Sequence, residues 1–143
     1  MIGGFHAEAQ RSMDAMAVLM ARLNEGTLRA TKTGRVFRRP ADGLGWIELK
    51  PYTSARGYRI VKLRLRGHRR GAPVHKIVWL FFKGPLPEGF ELDHRNRDKQ
   101  CNRLRNLRLL ARRFNRARHY YDDDREVAAL SAEDFFAALA EPF

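Results

Sequence analysis

Between Phe90 and Arg118 the chain reads "FELDHRNRDKQCNRLRNLRLLARRFNRAR", a window holding four of the five asparagines in the sequence: Asn96, Asn102, Asn106 and Asn115. An Asp–His pair, Asp93 and His94, closes a short apolar run just before these asparagines begin. A solvated basic helix has no need of this arrangement, whereas a site for a cation and a phosphate does. A hard divalent ion such as Mg²⁺ prefers oxygen ligands, takes one or two from the protein, and fills its shell with water and phosphate. The carboxylate of Asp93 and the amide oxygen of Asn115 meet that requirement. Histidine titrates near neutrality, so His94 is the natural base to take a proton from an attacking water. Neighbouring residues of a strand point to opposite faces, so Asp93 and His94 serve adjacent tasks and do not share one ion. Asn106 is placed to brace the loop or to orient the imidazole. Asn102 is expected to stabilise the tight loop through a turn hydrogen bond.

These groups must be carried by a strand, a loop, a returning strand and a helix, folded back within the one window. "FELDH" reads as the first strand, with Phe90 and Leu92 on one face and Glu91 and Asp93 on the other. "NLRLL" (106–110) reads as the return and "ARRFNRARHYY" (111–121) as the helix. Upstream, "PVHKIVWLFFKGP" reads as a short buried helix. Pro73 suits its first turn, Gly84 a left-handed cap and Pro85 the halt, while Val74, Ile77, Val78 and Phe81 line one side. His75 near its start is expected to be structural and hydrogen-bonded into the domain. From Gly34 to Leu65 the pattern has period two: "RVFRR", "WIELK" and "YRIVKLRL" are separated by Pro40, "ADGLG" and "SARG", which read as turns. Residues 5–23 place Met13, Met16, Ala17 and Met20 at helical spacing, and Gly26 follows as a stop. The last stretch carries a capping box, Ser131 with Asp134, and an apolar stripe of Phe135, Phe136 and Leu139.

Charge is distributed unevenly over the 143 residues. Residues 27–121 hold 25 Lys/Arg against 6 Asp/Glu, while residues 122–143 hold one Arg against 7 acids. A basic middle of this density points to a polyanion, and arginine's planar fork favours phosphate oxygens. Lys62, Arg64 and Arg66 form one cationic face of a strand, and Arg112, Arg113 and Arg116 follow the second strand; these six are the expected contacts to a nucleic-acid backbone. No apolar run approaches the roughly 20 residues of a membrane span, so no membrane association is expected. No secretory signal is apparent, and the single cysteine, Cys101, excludes an internal disulfide and a structural zinc built on paired thiolates. An intracellular, cytoplasmic setting is expected.

The stretch "VHKIVWLFFKGPLPEGFELDHRNRDKQCNRLRNLRLLARRFNRAR" resembles the HNH endonuclease family, in the branch common among phage-encoded and intron-homing enzymes. The likeness covers roughly residues 74–118 and rests on "LDH", "NRLRNL" and a later "FN" in register. It implies an α+β fold with a ββα-metal (His-Me finger) core over 73–121; the patterns above add to that core a small β-rich basic unit over 27–72, an N-terminal helix in 1–26 and an acidic helical tail over 122–143. It also implies divalent-metal-dependent hydrolysis of DNA phosphodiesters, nicking or cutting both strands, with Mg²⁺ or Mn²⁺ as the ion. By that resemblance His94 matches the general base, Asp93 the metal-binding acid before it, Asn106 the middle asparagine and Asn115 the final metal ligand. Many members have histidine at that last position; His119, one helical turn on, is the substitute this chain offers. Two rival readings accompany this one. In the first, the window is a non-catalytic nucleic-acid-binding unit with a degenerate nuclease fold, Asp93 paired to an arginine and His94 structural. In the second, the chain is an adaptor that engages a protein partner through its acidic tail, and a homodimer is a further form of self-association.

Overall fold

Short elements arise where the sequence changes its apolar period, and a computed structural model describes them over residues 15–65 and 67–112. The first helix, α1, is described over 15–24. Its inward stripe is Met16, Leu19, Met20 and Leu23, with Leu19 buried. Met16 and Met20 of the expected stripe are thus on the inner side, while Ala17 lies exposed and Met13 falls outside the described residues. Spacing of three and four residues centred on Leu19 brings the larger side chains inward.

Three antiparallel strands follow: β1 (Leu28–Ala30), β2 (Val36–Arg38) and β3 (Ile47–Leu49). A second antiparallel sheet holds β4 (Tyr52–Thr53), β5 (Arg59–Leu65) and β6 (His68–Pro73). In β5 the period-two pattern has its expected effect, with Val61, Leu63 and Leu65 buried and Lys62 and Arg64 outward. β1, β4 and β6 were not legible as strands. β6, "HRRGAP", lacks alternation and takes its conformation from pairing along β5, Ile60 opposite Pro73 through Leu65 opposite His68.

Helix α2 (Val74–Lys83) begins after Pro73, whose extended backbone makes it the cap and not a first-turn residue. It ends at Gly84, where φ is 85° and the N–H donates to Leu80 O at 3.1 Å. Such a φ costs a side-chain-bearing residue energy and suits glycine. Ile77 and Val78 are fully buried, each contributing about 1.5–3 kcal/mol by leaving water. Phe81, expected on the inner side, is exposed and packs edge-on against Phe82; Leu80 takes the buried place. One apolar cluster joins Leu19, Leu28, Val36, Val61, Leu63, Val74, Ile77 and Leu107, so α1, both sheets, α2 and the last hairpin share it.

That hairpin pairs β7 (Phe90–His94) with β8 (Leu107–Ala111), Phe90 opposite Ala111 and His94 opposite Leu107. A 3₁₀ turn, Leu104–Asn106, precedes β8, so Asn106 stands in the turn and not in the strand. Of the helix expected over 111–121, Ala111 belongs to β8, where it pairs with Phe90, and residues 113–121, like the capping box with its Phe-bearing stripe, lie outside the described residues.

Candidate functional site

The loop joining β7 to β8 is bound from inside by its own amides. Asn106 Nδ2 donates to Asn96 Oδ1 at 2.9 Å and to Cys101 O at 2.8 Å, while its Oδ1 accepts from Asn96 N at 3.2 Å. Its backbone oxygen accepts from Arg95 N at 2.7 Å. Asn96 and Asp98 each accept from the N–H two residues on, at 2.9 Å, which are Asx turns. Asn106 therefore braces the loop; of the two tasks weighed for it, this is the one its side chain performs.

Orienting the imidazole falls to Asn102. His94 Nε2 lies 2.8 Å from Asn102 Oδ1, and both side chains are buried. An amide oxygen can only accept, so Nε2 is the donor in this contact, and in the neutral ring the lone pair is then on Nδ1. Asn102 is in turn seated against the β1–β2 turn. A Cβ on Gly34, whose φ is 95°, would lie 3.0 Å from Asn102 O, and Leu104 N donates to Lys32 O at 2.8 Å. This seat connects the first sheet to the candidate base, and neither glycine nor asparagine announces it in the sequence.

The other side of the His94 ring meets His75, on the first turn of α2, with ring centroids 4.9 Å apart. Tyr58 stacks on His75 at 5.4 Å, and Lys99 lies over the Tyr58 ring at 4.7 Å. His75 is held by rings and not by the hydrogen bonding expected of it: its Nδ1 is buried with no hydrogen-bond partner. Burial, with the nearby His94 and Lys76 adding to it, pushes its pKa down to about 3, so the ring is neutral in the folded protein.

On the opposite face of β7, Arg108 of the facing strand donates from Nε to Asp93 Oδ2 at 2.8 Å. Asp93 and Arg108 are register partners, and both side chains are mostly buried. Among the described residues no group of three His, Cys, Asp or Glu could hold a metal ion. A single carboxylate suits a hard ion that draws most of its shell from water and phosphate; it does not suit a zinc cage. Asn115 and His119 lie outside the described residues.

Of the six expected backbone contacts, Lys62 and Arg64 line a cleft of about 430 Å³ together with Arg22, Arg38, Arg39 and Arg69. No described acid lines it. Desolvation, followed by the charge of Arg38, lowers the pKa of Arg22, which donates to Thr27 and to Arg64 O. Arg112 is exposed and ion-paired to Glu91 at 3.3 Å. Arg66, Arg113 and Arg116 lie outside the described residues. On the outer face of the first sheet, Arg29 is sandwiched between Phe37 and Trp46, at 5.3 and 4.2 Å from the ring centroids. No helix among the described residues is long and apolar enough to cross a membrane.

Comparison with known proteins bears on the same segment. Residues 72–117 match the family model described as HNH endonuclease. An uncharacterized gene 5.3 protein of Enterobacteria phage T3 is 31% identical over 48 residues, which are 34% of this chain and 48% of that protein. The chain thus spans about half the length of the curated relative it matches. A solved structure of the HNH homing endonuclease I-HmuI, described by its DNA binding and cleavage, aligns with a TM-score of 0.55 and 24% identity. The alignment covers 73% of this chain and 60% of that one. This likeness shows the fold, an α+β architecture of the HNH ββα-metal kind.

Proposed function

We propose that this chain, which matches the HNH endonuclease model over residues 72–117 and is similar in fold to an HNH homing endonuclease, is a divalent-metal-dependent endonuclease that hydrolyses DNA phosphodiester bonds. The observation that carries the reading is the imidazole of His94: at the end of β7 it is clamped between Asn102 and His75, with its hydrogen committed to Nε2. That leaves Nδ1 basic. In the proposed reaction Nδ1 takes the proton of the attacking water, and Asn102 Oδ1 stabilises the positive charge that arrives on the ring. Asp93 and Asn115 would hold the divalent ion, Mg²⁺ fitting this oxygen donor set and Mn²⁺ substituting. When bound, the ion supplies neutralisation of the charge developing on the phosphate and on the departing 3′ oxygen. Arg108 sets the orientation of Asp93 from the neighbouring strand, and Asn106 keeps the loop that carries Asn102 closed. Lys62, Arg64 and Arg112, with Arg66, Arg113 and Arg116, would hold the DNA backbone; such contacts position the duplex without reading sequence.

Supercoiled plasmid is the direct test. With Mg²⁺ or Mn²⁺ the protein should relax or linearise it, leaving 5′ phosphates and 3′ hydroxyls, and chelator should stop the reaction. A plasmid unchanged under both ions would leave the second reading, a nucleic-acid-binding protein without catalysis. The Asp93–Arg108 ion pair is the observation favouring that alternative, since a guanidinium competes with a cation for the carboxylate.

A further inference from the structure

Beside the candidate site lies the larger cavity of about 730 Å³, with a floor of Trp79, Leu104, Leu107 and Leu109. Five cations stand around that floor: Lys32, Lys83, Arg95, Arg103 and Arg105. No described Asp or Glu lines it. Arg108 forms part of the wall, and it is the residue whose Nε grips Asp93. Its Nη2 is buried without a hydrogen-bond partner, a deficit of about 1–3 kcal/mol. An apolar floor with one indole and a rim of one charge sign describes a ligand that is flat and apolar in its middle and anionic at its ends.

We propose that this cavity is a nucleotide subsite next to the reacting phosphodiester, taking an unpaired base against Trp79 while the rim cations hold the phosphates on either side. The proposal rests on the nuclease reading and adds the form in which the strand is bound. In a duplex the base faces are covered by their neighbours, so only a single-stranded or splayed nucleotide can reach the floor. Extrusion from a duplex costs a few kcal/mol. Base–aromatic stacking returns about 1–3 kcal/mol per base, so strands already unpaired are preferred. The cavity volume is within the range of ligand sites, about 300–1,000 Å³, and accommodates more than one base.

The chain has two tryptophans, so Trp46→Phe makes Trp79 the sole indole reporter, with a ring still in place over Arg29 and Arg39. The full-length protein in chelator is titrated with an oligothymidylate of about eight nucleotides, following both Trp79 emission and the anisotropy of a label on the DNA. Trp79 should be quenched in step with binding, whereas inorganic polyphosphate of matched charge should bind the rim and leave the emission unchanged. Arg103→Ala with Arg105→Ala should weaken oligonucleotide binding roughly tenfold and make the salt dependence shallower by about 1.4 in log–log slope. Binding without any change at Trp79, equal quenching by polyphosphate, or an unaltered slope in the double variant would each overturn the subsite and leave the nuclease reading standing. Absence of binding to any DNA would overturn both.

Discussion

At the residue scale, a histidine that is to accept a proton must have its two nitrogens distinguished, and here one amide does so. Removing the acceptor with Asn102→Ala leaves a buried N–H unpaired, a cost of about 1–3 kcal/mol, and frees the ring to choose either tautomer. Single-turnover cleavage should then fall by one to two orders of magnitude, about 1.4 kcal/mol for each tenfold, while DNA affinity changes little; equal losses in both would contradict the assignment. His75 predicts a pH dependence. Its folded pKa, about 3, is far below the ordinary value of 6.5, so between those limits the unfolded ring binds a proton that the folded ring excludes. Its contribution is therefore complete above about pH 6.5 and is lost progressively as pH falls toward 3. His75→Phe keeps a ring in place and should flatten the fall in Tm between neutral pH and pH 5 relative to the wild type. The positions of Asp93 and His94 at a strand end were legible because alternation and turn residues mark that end. Pairing of Asp93 to an arginine was among the readings, but which arginine was not legible, nor was the amide that holds His94: Asn102 lies eight residues from His94 and Arg108 fifteen from Asp93, and only the closed hairpin brings each pair together.

At the scale of elements, the candidate base depends on a turn in a different sheet. Gly34 combines a φ of 95° with a backbone carbonyl 3.0 Å from where a Cβ would stand. Gly34→Ala should cost about 1–3 kcal/mol in stability from the backbone conformation alone, and the added methyl must push the Asn102 main chain aside. The variant should lose cleavage beyond its loss of Tm when assayed well below its unfolding transition; a rate equal to wild type there would show that Asn102 does not need this seat. The strongly periodic elements, β5, α2 and β7, were readable from their apolar spacing. β1 and β6 were not, because a three-residue strand has too few positions for a pattern and β6 gains its form from its neighbour. In α1 the expected Met16 and Met20 do pack inward, whereas Ala17 does not, and Leu19, which the methionine and alanine spacing passed over, is the buried residue.

For the molecule as a whole, the excess of cations over residues 27–121 becomes localised surfaces once the chain folds: the arginine cleft beside β5 and the rimmed cavity near β8. Charge composition announced a polyanion but could not show that Arg22, Arg38, Arg39 and Arg69 would join Lys62 and Arg64 from separate elements. If the cleft holds DNA backbone, Lys62→Ala with Arg64→Ala should reduce the salt slope of duplex binding by about 0.9 per lost contact; an unchanged slope would move the backbone elsewhere. The central claim is that His94 does chemistry on DNA and is not merely packed beside it. The most direct measurement compares wild type and His94→Ala on supercoiled plasmid with Mg²⁺, alongside binding of the same DNA in chelator. Cleavage by wild type, at least a hundredfold slower in the variant with binding nearly intact, is the predicted result. Equal cleavage by the two proteins, or none by either despite tight binding, would contradict it.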